Sequence, residues 1–302
     1  MEQGSNHTRH ASTYFDLSTS TIAFLNFECK FTAFTLNNSA SMKNIVRVLG
    51  VLVLLILGAF NNAGTKGYRV KKVIIDAGHG GYDSGALGKY SKEKDIALQI
   101  ALALGSIINK HMQGVEVIYT RQTDAFVTLH GRAKVANKNN ADVFLSIHCN
   151  ATPKGEAAYG TETYTMGLHT SGHNLEVAKR ENGVILMEND YQKHYQGFDP
   201  KSPESHILFS LYQNAHHDNS LKLAQKIQYQ FKNRVGRKCR GVKQAGLLVL
   251  WQTTAPSVLI EVGFITNPRE EKYLNSKAGQ TYIASGVFRA FRDYKNELEA
   301  HN

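Results

Sequence analysis

Four side chains stand where metal-dependent hydrolysis would need them. His79 follows an apolar run, Lys72 to Ile75, within Asp76-Ala77-Gly78-His79-Gly80-Gly81. His148 ends a second run, Val143 to Ile147, and Glu261 ends a third, Val258 to Ile260. Glu93 opens a helical segment soon after His79. Two neutral imidazoles and one carboxylate make a catalytic zinc set that leaves a fourth tetrahedral position open. Zinc in such a set lowers the pKa of water and polarises a carbonyl. A second carboxylate outside the metal shell can then move the proton from water to the leaving amine. Glu93 and Glu261 are available for these two roles.

These residues need elements to position them. The β-branched run at Lys72–Ile75, the runs 116–120, 143–148, 160–165, 247–250 and 257–261 read as strands. Ile96, Ile100, Leu104, Ile107 and Ile108 recur at helical spacing. Residues 129–139 read as a short helix. A further helix carries Leu221, Ala224, Ile227, Phe231 and Val235 on one face, and a last one covers about 282–298. Strands alternating with helices imply an α/β fold, a single domain with a mostly parallel or mixed twisted sheet and helices on both faces. Sites in such sheets gather at the carboxyl ends of strands. His79, His148 and Glu261 all fall there. Residues 168–217 are polar and irregular and read as an insertion.

The first sixty residues read differently. Residues 1–41 are rich in Ser, Thr and Asn and are expected to be a disordered extension upstream of the true start. Met42, Lys43 and Arg47 precede an apolar run from Val48 to Phe60. That run is short of the about 20 residues needed to span a bilayer. With its basic start and small residues after it, segment 42–63 reads as a secretory signal peptide, and no stable membrane span is expected. Export to a periplasm or cell envelope follows from that reading.

The chain of 302 residues carries a formal net charge of +10. The first 63 residues hold Arg9, Lys30, Lys43 and Arg47 against Glu2, Asp16 and Glu28, so trimming them leaves the surplus almost intact. An anionic partner is implied. Between 219 and 260 there are Lys222, Lys226, Lys232, Arg234, Arg237, Lys238, Arg240 and Lys243 and no acid. Aromatics are not interleaved there for stacking, which argues against nucleic acid. Cys29, Cys149 and Cys239 are too few for a disulfide framework and lack zinc-ribbon spacing.

The motifs resemble a family. Val73 to Ala86 resembles the opening motif of zinc-dependent N-acetylmuramoyl-L-alanine amidases of type 3, which are cell-wall hydrolases. Lys92-Glu93-Lys94-Asp95 is similar to their second motif, Phe144 to Ala151 to the third, and Pro256 to Pro268 to the last. The resemblance spans about 72–295 and marks 68–298 as the catalytic domain. It implies one Zn²⁺ held by His79, Glu93 and His148, with Glu261 as the catalytic base. It implies a peptidoglycan substrate, cut between the lactyl group of N-acetylmuramic acid and the L-alanine of the stem peptide, for wall turnover or daughter-cell separation. Cys149 departs from the small residue usual there; in a strand its side chain points away from His148. Some relatives carry an inserted helix that plugs the site until an activator protein moves it. Residues 175–213 fall where such a regulatory insertion would sit, with Glu181 or Glu188 as the capping ligand. Asp76, Asn150 and Asn267 are expected near the ligands or substrate, and Lys243 is expected to grip a stem-peptide carboxylate. A monomer is expected. A zinc carboxypeptidase or deacylase acting on another amide, or a non-catalytic peptidoglycan-binding module, are the competing readings.

Overall fold

A computed structural model describes residues 44, 47–52, 68–152, 157–169, 171–211 and 215–300. Its contacts divide the chain into Met1–Lys66 and Gly67–Asn302. In the first unit residues 47–52 are helical, with Val48, Leu49, Val51 and Leu52 exposed. The expected extension and most of the expected signal peptide lie outside the described residues. Among the described residues, no helix is long and apolar enough to cross a membrane.

The second unit is built on a six-stranded mixed sheet. In chain order it runs β1 (Lys72–Ala77), α1 (Glu93–His111), β2 (Glu116–Tyr119), α2 (Leu129–Lys138), β3 (Val143–Asn150), β4 (Thr161–Met166) and α3 (Gly172–Asn182). There follow α4 (Tyr191–His194), α5 (Pro203–Ser210), α6 (His217–Gln230), β5 (Cys239–Ala245), α7 (Leu248–Trp251), β6 (Ser257–Phe264), α8 (Pro268–Asn275) and α9 (Lys277–Ala300). The strand order is β2-β1-β3-β6-β4-β5. The first four strands are mutually parallel, β4 is antiparallel to β6, and β5 is parallel to β4.

Every residue of β3 and β6 is buried, as central strands covered on both faces require. One core holds Ile75, Leu145 and Ile260 of the sheet against Ile100 and Leu104 of α1, Ile227 of α6 and Phe291 of α9. The other holds Ile74, Phe144, Leu259 and Tyr164 against Val177 and Ala178 of α3, Phe209 of α5 and Leu250 of α7. Cys149 belongs to the first core, on the face opposite His148, as its strand position predicts.

Three expectations change. Segment 247–250 is not a strand; Leu248–Trp251 forms the short α7, and the sixth strand is Cys239–Ala245. The alternating Val242, Gln244 and the bulge glycine Gly241 hide that strand inside a charge-rich stretch. Helix α8 was not expected; Asn267 caps it by accepting from the Arg269 and Glu270 amides, with Pro268 in the first turn. The insertion is more than a polar loop, because Val177, Ala178, Ile185, Tyr195, Phe198 and Phe209 are buried in the second core.

The loop after β1 is fastened from below. Asp76 is fully buried and pairs with Arg132 of α2 at 2.7 Å. It also accepts from Thr120 and Ser146, each at 2.6 Å. Burial pushes the Asp76 carboxyl upward, but the Arg132 guanidinium and the Ser146 and Thr120 hydroxyls together hold it below the usual range. Arg132 donates onward to the carbonyls of Ala77 (2.6 Å) and His79 (2.7 Å). Arg121 donates to the Ala77 carbonyl at 3.0 Å and the Gly78 carbonyl at 2.7 Å. Two guanidinium groups therefore set the backbone that carries His79. Asp76→Ala leaves Arg132 buried without its partner, and urea unfolding is expected to show a loss of about 3–5 kcal/mol.

Candidate active site

The carboxyl ends of β1, β3 and β6 converge, and each delivers one group. His148 and Glu261 are paired in the β3–β6 register and so share a face. His79 sits in the loop after β1 at φ 59°, a left-handed conformation costly for a residue with a Cβ. The Arg132 and Arg121 bonds to the flanking carbonyls hold it there. Glu93, the first residue of α1, is fully buried. Its Oε1 accepts from the Cys149 amide and its Oε2 from the Ala86 amide, both at 2.7 Å.

Two glycines make this approach possible. A Cβ on Gly78 would lie 2.5 Å from the His148 ring. Gly85, at φ +63°, packs so closely that a Cβ would meet the His79 ring at 2.6 Å and Glu93 Oε2 at 2.7 Å. Glycine is required at both positions by close approach, and at Gly85 by conformation too.

The resulting cluster is His79, Glu93, His148 and Glu181, with one ligand atom from each lying within 4.8 Å of the others. His79 Nε2 is 3.2 Å from Glu93 Oε1 and 3.5 Å from Glu181 Oε2. His148 Nδ1 is 3.1 Å from Glu93 Oε1 and 3.0 Å from Glu181 Oε2. His79 Nδ1 meets Asp83 Oδ2 at 2.8 Å, which orients the ring and turns Nε2 inward. His79 Nε2 and Glu181 Oε2 are buried without a hydrogen-bond partner. Two orphaned atoms facing one point, two imidazoles and two carboxylates fit a divalent cation with nitrogen and oxygen preference, and zinc accepts this donor set.

The electrostatics agree. Burial alone would lower the His79 and His148 pKa values, but carboxylates reverse it. Glu93 pushes His79 well above its ordinary value. Glu181 pushes His148 up to about 9. Burial would raise the Glu93 and Glu181 carboxyls, yet the imidazoles hold both well below the usual range. Such a site attracts positive charge and holds its acids ionised.

Glu261 is fully buried beside this cluster but is not part of it. Burial pushes its carboxyl well above the ordinary range against the pull of Arg180; Glu181 and Glu93 reinforce the rise. Its Oε1 accepts from Arg180 Nη2 at 3.1 Å, and its Oε2 has no partner. Arg180 also donates to Glu181 Oε1 (2.9 Å) and to the Ala151 carbonyl (3.1 Å). Both Arg180 and Glu181 come from the last turn of α3, so this helix places a cation on one glutamate and a carboxylate on the two histidines.

The structure sorts the remaining expectations. Glu181 joins the cluster and Glu188 does not. Glu188 accepts from the Leu129 amide at 2.7 Å and the Tyr195 hydroxyl at 2.6 Å, fastening the insertion to α2 instead. Asp76 acts on the loop backbone through Arg132, while Asp83 touches the His79 ring. Asn267 is spent on capping α8 and donates its amide to the Ala158 carbonyl. Asn150 donates to Glu162 Oε2 at 2.8 Å rather than to a ligand. Lys243 lies on β5 opposite Tyr164.

Glu162 escaped the sequence reading. It pairs with Glu261 in the β4–β6 register, shares its face, and is fully buried. Four donors surround it: Arg240 Nε at 2.8 Å, Asn150 at 2.8 Å, Tyr164 Oη at 2.8 Å and His173 Nε2 at 3.0 Å. A lone acid in the threonine-rich strand Thr161–Met166 was the available signal. Burial would raise the Glu162 carboxyl, but the His173 and Arg240 contacts bring it down to about 2. Its ionised form therefore stabilises the fold above the ordinary carboxylate range, and that stability is lost as pH falls from about 4.5 toward 2. Glu162→Gln is expected to flatten this acid limb in melting curves taken across pH 2–6.

The comparisons with known proteins match this architecture. Residues 73–293 match the family model for N-acetylmuramoyl-L-alanine amidase. The chain is 36% identical over 239 residues to the Escherichia coli amidase AmiA, covering 76% of this chain and 79% of that protein. It is 31% identical to an uncharacterized Bacillus subtilis protein, YqiI, over 75% of this chain and 86% of that one. Among solved structures, an N-acetylmuramoyl-L-alanine amidase from Clostridium difficile superposes with a TM-score of 0.57 at 28% identity, covering 76% of this chain and 98% of that one. The Clostridioides difficile CwlD amidase, solved in complex with the GerS lipoprotein, superposes with a TM-score of 0.55 at 27% identity, covering 75% of this chain and 99% of that one. The chain belongs to the N-acetylmuramoyl-L-alanine amidase family.

Proposed function

We propose that this amidase cuts the bond between the lactyl group of N-acetylmuramic acid and L-alanine with one zinc ion held by His79, Glu93 and His148, and Glu261 as its base. The observation that carries this reading is the buried convergence of two imidazoles and a carboxylate beside a second carboxyl outside their shell. Zinc, when bound, supplies a Lewis acid for the scissile carbonyl and lowers the pKa of the attacking water. The Glu261 carboxylate takes the proton from that water and delivers it to the leaving amine of L-alanine. A carboxyl whose affinity for protons is raised by burial is suited to hold that proton between the two steps. Asp83 keeps the His79 ring in register, and the Cys149 and Ala86 amides keep Glu93 in place.

The same reading makes the described state a closed one. Glu181 takes the position the substrate carbonyl and water need, and Arg180 holds Glu261. Displacement of α3 by an activator protein is then the step that opens the site. The CwlD amidase, solved in complex with a lipoprotein, supports a protein partner within the family. The apolar run at Val48–Phe60 supports export, which brings the enzyme to peptidoglycan.

Three variants test this reading. Glu261→Ala is expected to keep its zinc and fold but lose at least about a hundredfold in hydrolysis, a typical general-base contribution. His79→Ala is expected to lose zinc as well; elemental analysis and mass spectrometry of digested muropeptides check both. An amidase releases intact stem peptides from glycan, whereas a carboxypeptidase shortens them. Glu181→Ala is expected to raise basal activity on purified sacculi; unchanged activity would refute the closed state. A point change is the cleaner test, because deleting the insertion would also strip Val177, Ala178 and Phe209 from the second core.

A further inference from the structure

Strand β5 lies at the edge of the sheet, two strands from Glu261. Its pairing with β4 slips: Thr161 faces Cys239, but Thr163 faces Val242. One extra residue is accommodated by a bulge at Arg240-Gly241, where Gly241 takes φ +95°. The consequence lies in where the cations point. Residues three apart on a regular strand face opposite ways. With the bulge, Arg240 reaches Glu162 and Lys243 pairs with Tyr164, and Glu162 and Tyr164 share the face that carries Glu261. The bulge thus turns two cations toward the active-site side of an edge strand.

Arg240 is also held in place. Its Nε donates to Glu162 Oε1 at 2.8 Å, and its guanidinium lies 5.1 Å from the Phe264 ring centroid. Glu162 is in turn fixed by Asn150 and Tyr164 from the sheet. The Arg240 side chain keeps 30% of its exposure, and its remaining N–H groups have no partner among the described residues. Helix α3 lies over this edge: His173 contacts Glu162, and Asn174 donates to the Gln244 carbonyl. The helix that carries Glu181 therefore also packs against the neighbours of both cations.

We propose that Arg240, assisted by Lys243 and positioned by Glu162, reads a free carboxylate on the residue that follows L-alanine in the stem peptide. The proposal rests on the amidase reading. Neighbouring strands are about 4.8 Å apart, which places the β5 backbone about 10 Å from that of Glu261. An extended peptide advances about 3.5 Å per residue, so a carboxylate on the second residue past the cut lies about 7 Å away. An arginine side chain spans the difference, and a planar guanidinium binds a carboxylate through two parallel hydrogen bonds. The pair Arg240–Glu162 is neutral by itself, and Lys243 supplies the additional positive charge that an incoming anion needs.

The test uses the full chain, zinc-loaded, and two soluble muropeptides that differ in one group: a carboxylate or a carboxamide on the second residue. Each variant is measured alone and combined with Glu181→Ala. Arg240→Ala is expected to raise KM for the carboxylate substrate about 10–100-fold with kcat nearly unchanged, the scale of a lost charge-assisted hydrogen bond. The carboxamide substrate is expected to be cleaved as before, and Arg240→Lys to restore part of the loss. An equal loss on both substrates, or no loss on either, overturns the proposal. Should Arg240→Ala fail to fold, as zinc content and melting would show, calorimetry on the Glu181→Ala/Glu261→Gln chain replaces it. The free peptide with the carboxylate is expected to bind at least tenfold tighter than its carboxamide; equal binding overturns the proposal. Absence of cleavage of either muropeptide, with Glu181→Ala present, instead refutes the amidase reading, and calorimetry still decides the carboxylate preference.

Discussion

Burying two carboxylates and two imidazoles against one another is costly unless a positive charge joins them, and much of this molecule is arranged around that cost. Glu93 and Glu181 bring two negative charges to one point within a pocket closed to solvent. A divalent cation would balance them, and Arg180 balances Glu261. Helix α3 brings one acid and one base to the site, Glu181 and Arg180, and so adds no net charge to it. A helix that is neutral in sum would enter or leave without stranding net charge beside the sheet.

The scaffold meets this demand by rigidity beneath the site and adjustability above it. Below, Asp76, Arg132 and Arg121 bind the backbone of residues 77–79 through buried, charge-assisted bonds. Gly78 and Gly85 let the rings and carboxylates approach where any Cβ would collide. Above, the insertion is held by a mixture of apolar packing and polar latches: Val177 and Ala178 in the second core, Glu188 on the start of α2, and His173 on Glu162. Polar latches can be exchanged for water or substrate at modest cost, whereas the loop clamps cannot.

Much of the fold was legible from local pattern. The apolar runs of β1, β3 and β6 and the helical spacing of α1 arise from burial on known faces, which leaves a period in the sequence. The edge strand β5 did not, because an edge is half solvated and its glycine bulge breaks the alternation. Helix α7 was mistaken for a strand because four apolar residues carry no period of either kind.

The site divides along the same line. Sequence alone put His79, His148 and Glu261 at strand ends and Glu93 at a helix start, since those elements have a visible period, and the resemblance to the amidase family singled these four out. Sequence also placed Cys149 on the far face of β3, because strand alternation settles that. Only the tertiary structure decided which glutamate of the insertion enters the cluster. Glu181 and Glu188 are equally acidic and seven residues apart, and their fates depend on how α3 and the turn after it lie against β3 and α2. Glu162 and Arg240 likewise acquire meaning through strand register: an antiparallel β4 sets one beside Glu261, and a one-residue bulge turns the other toward it. Contacts between residues remote in the chain are fixed by pairing and packing, and these leave no local period to read.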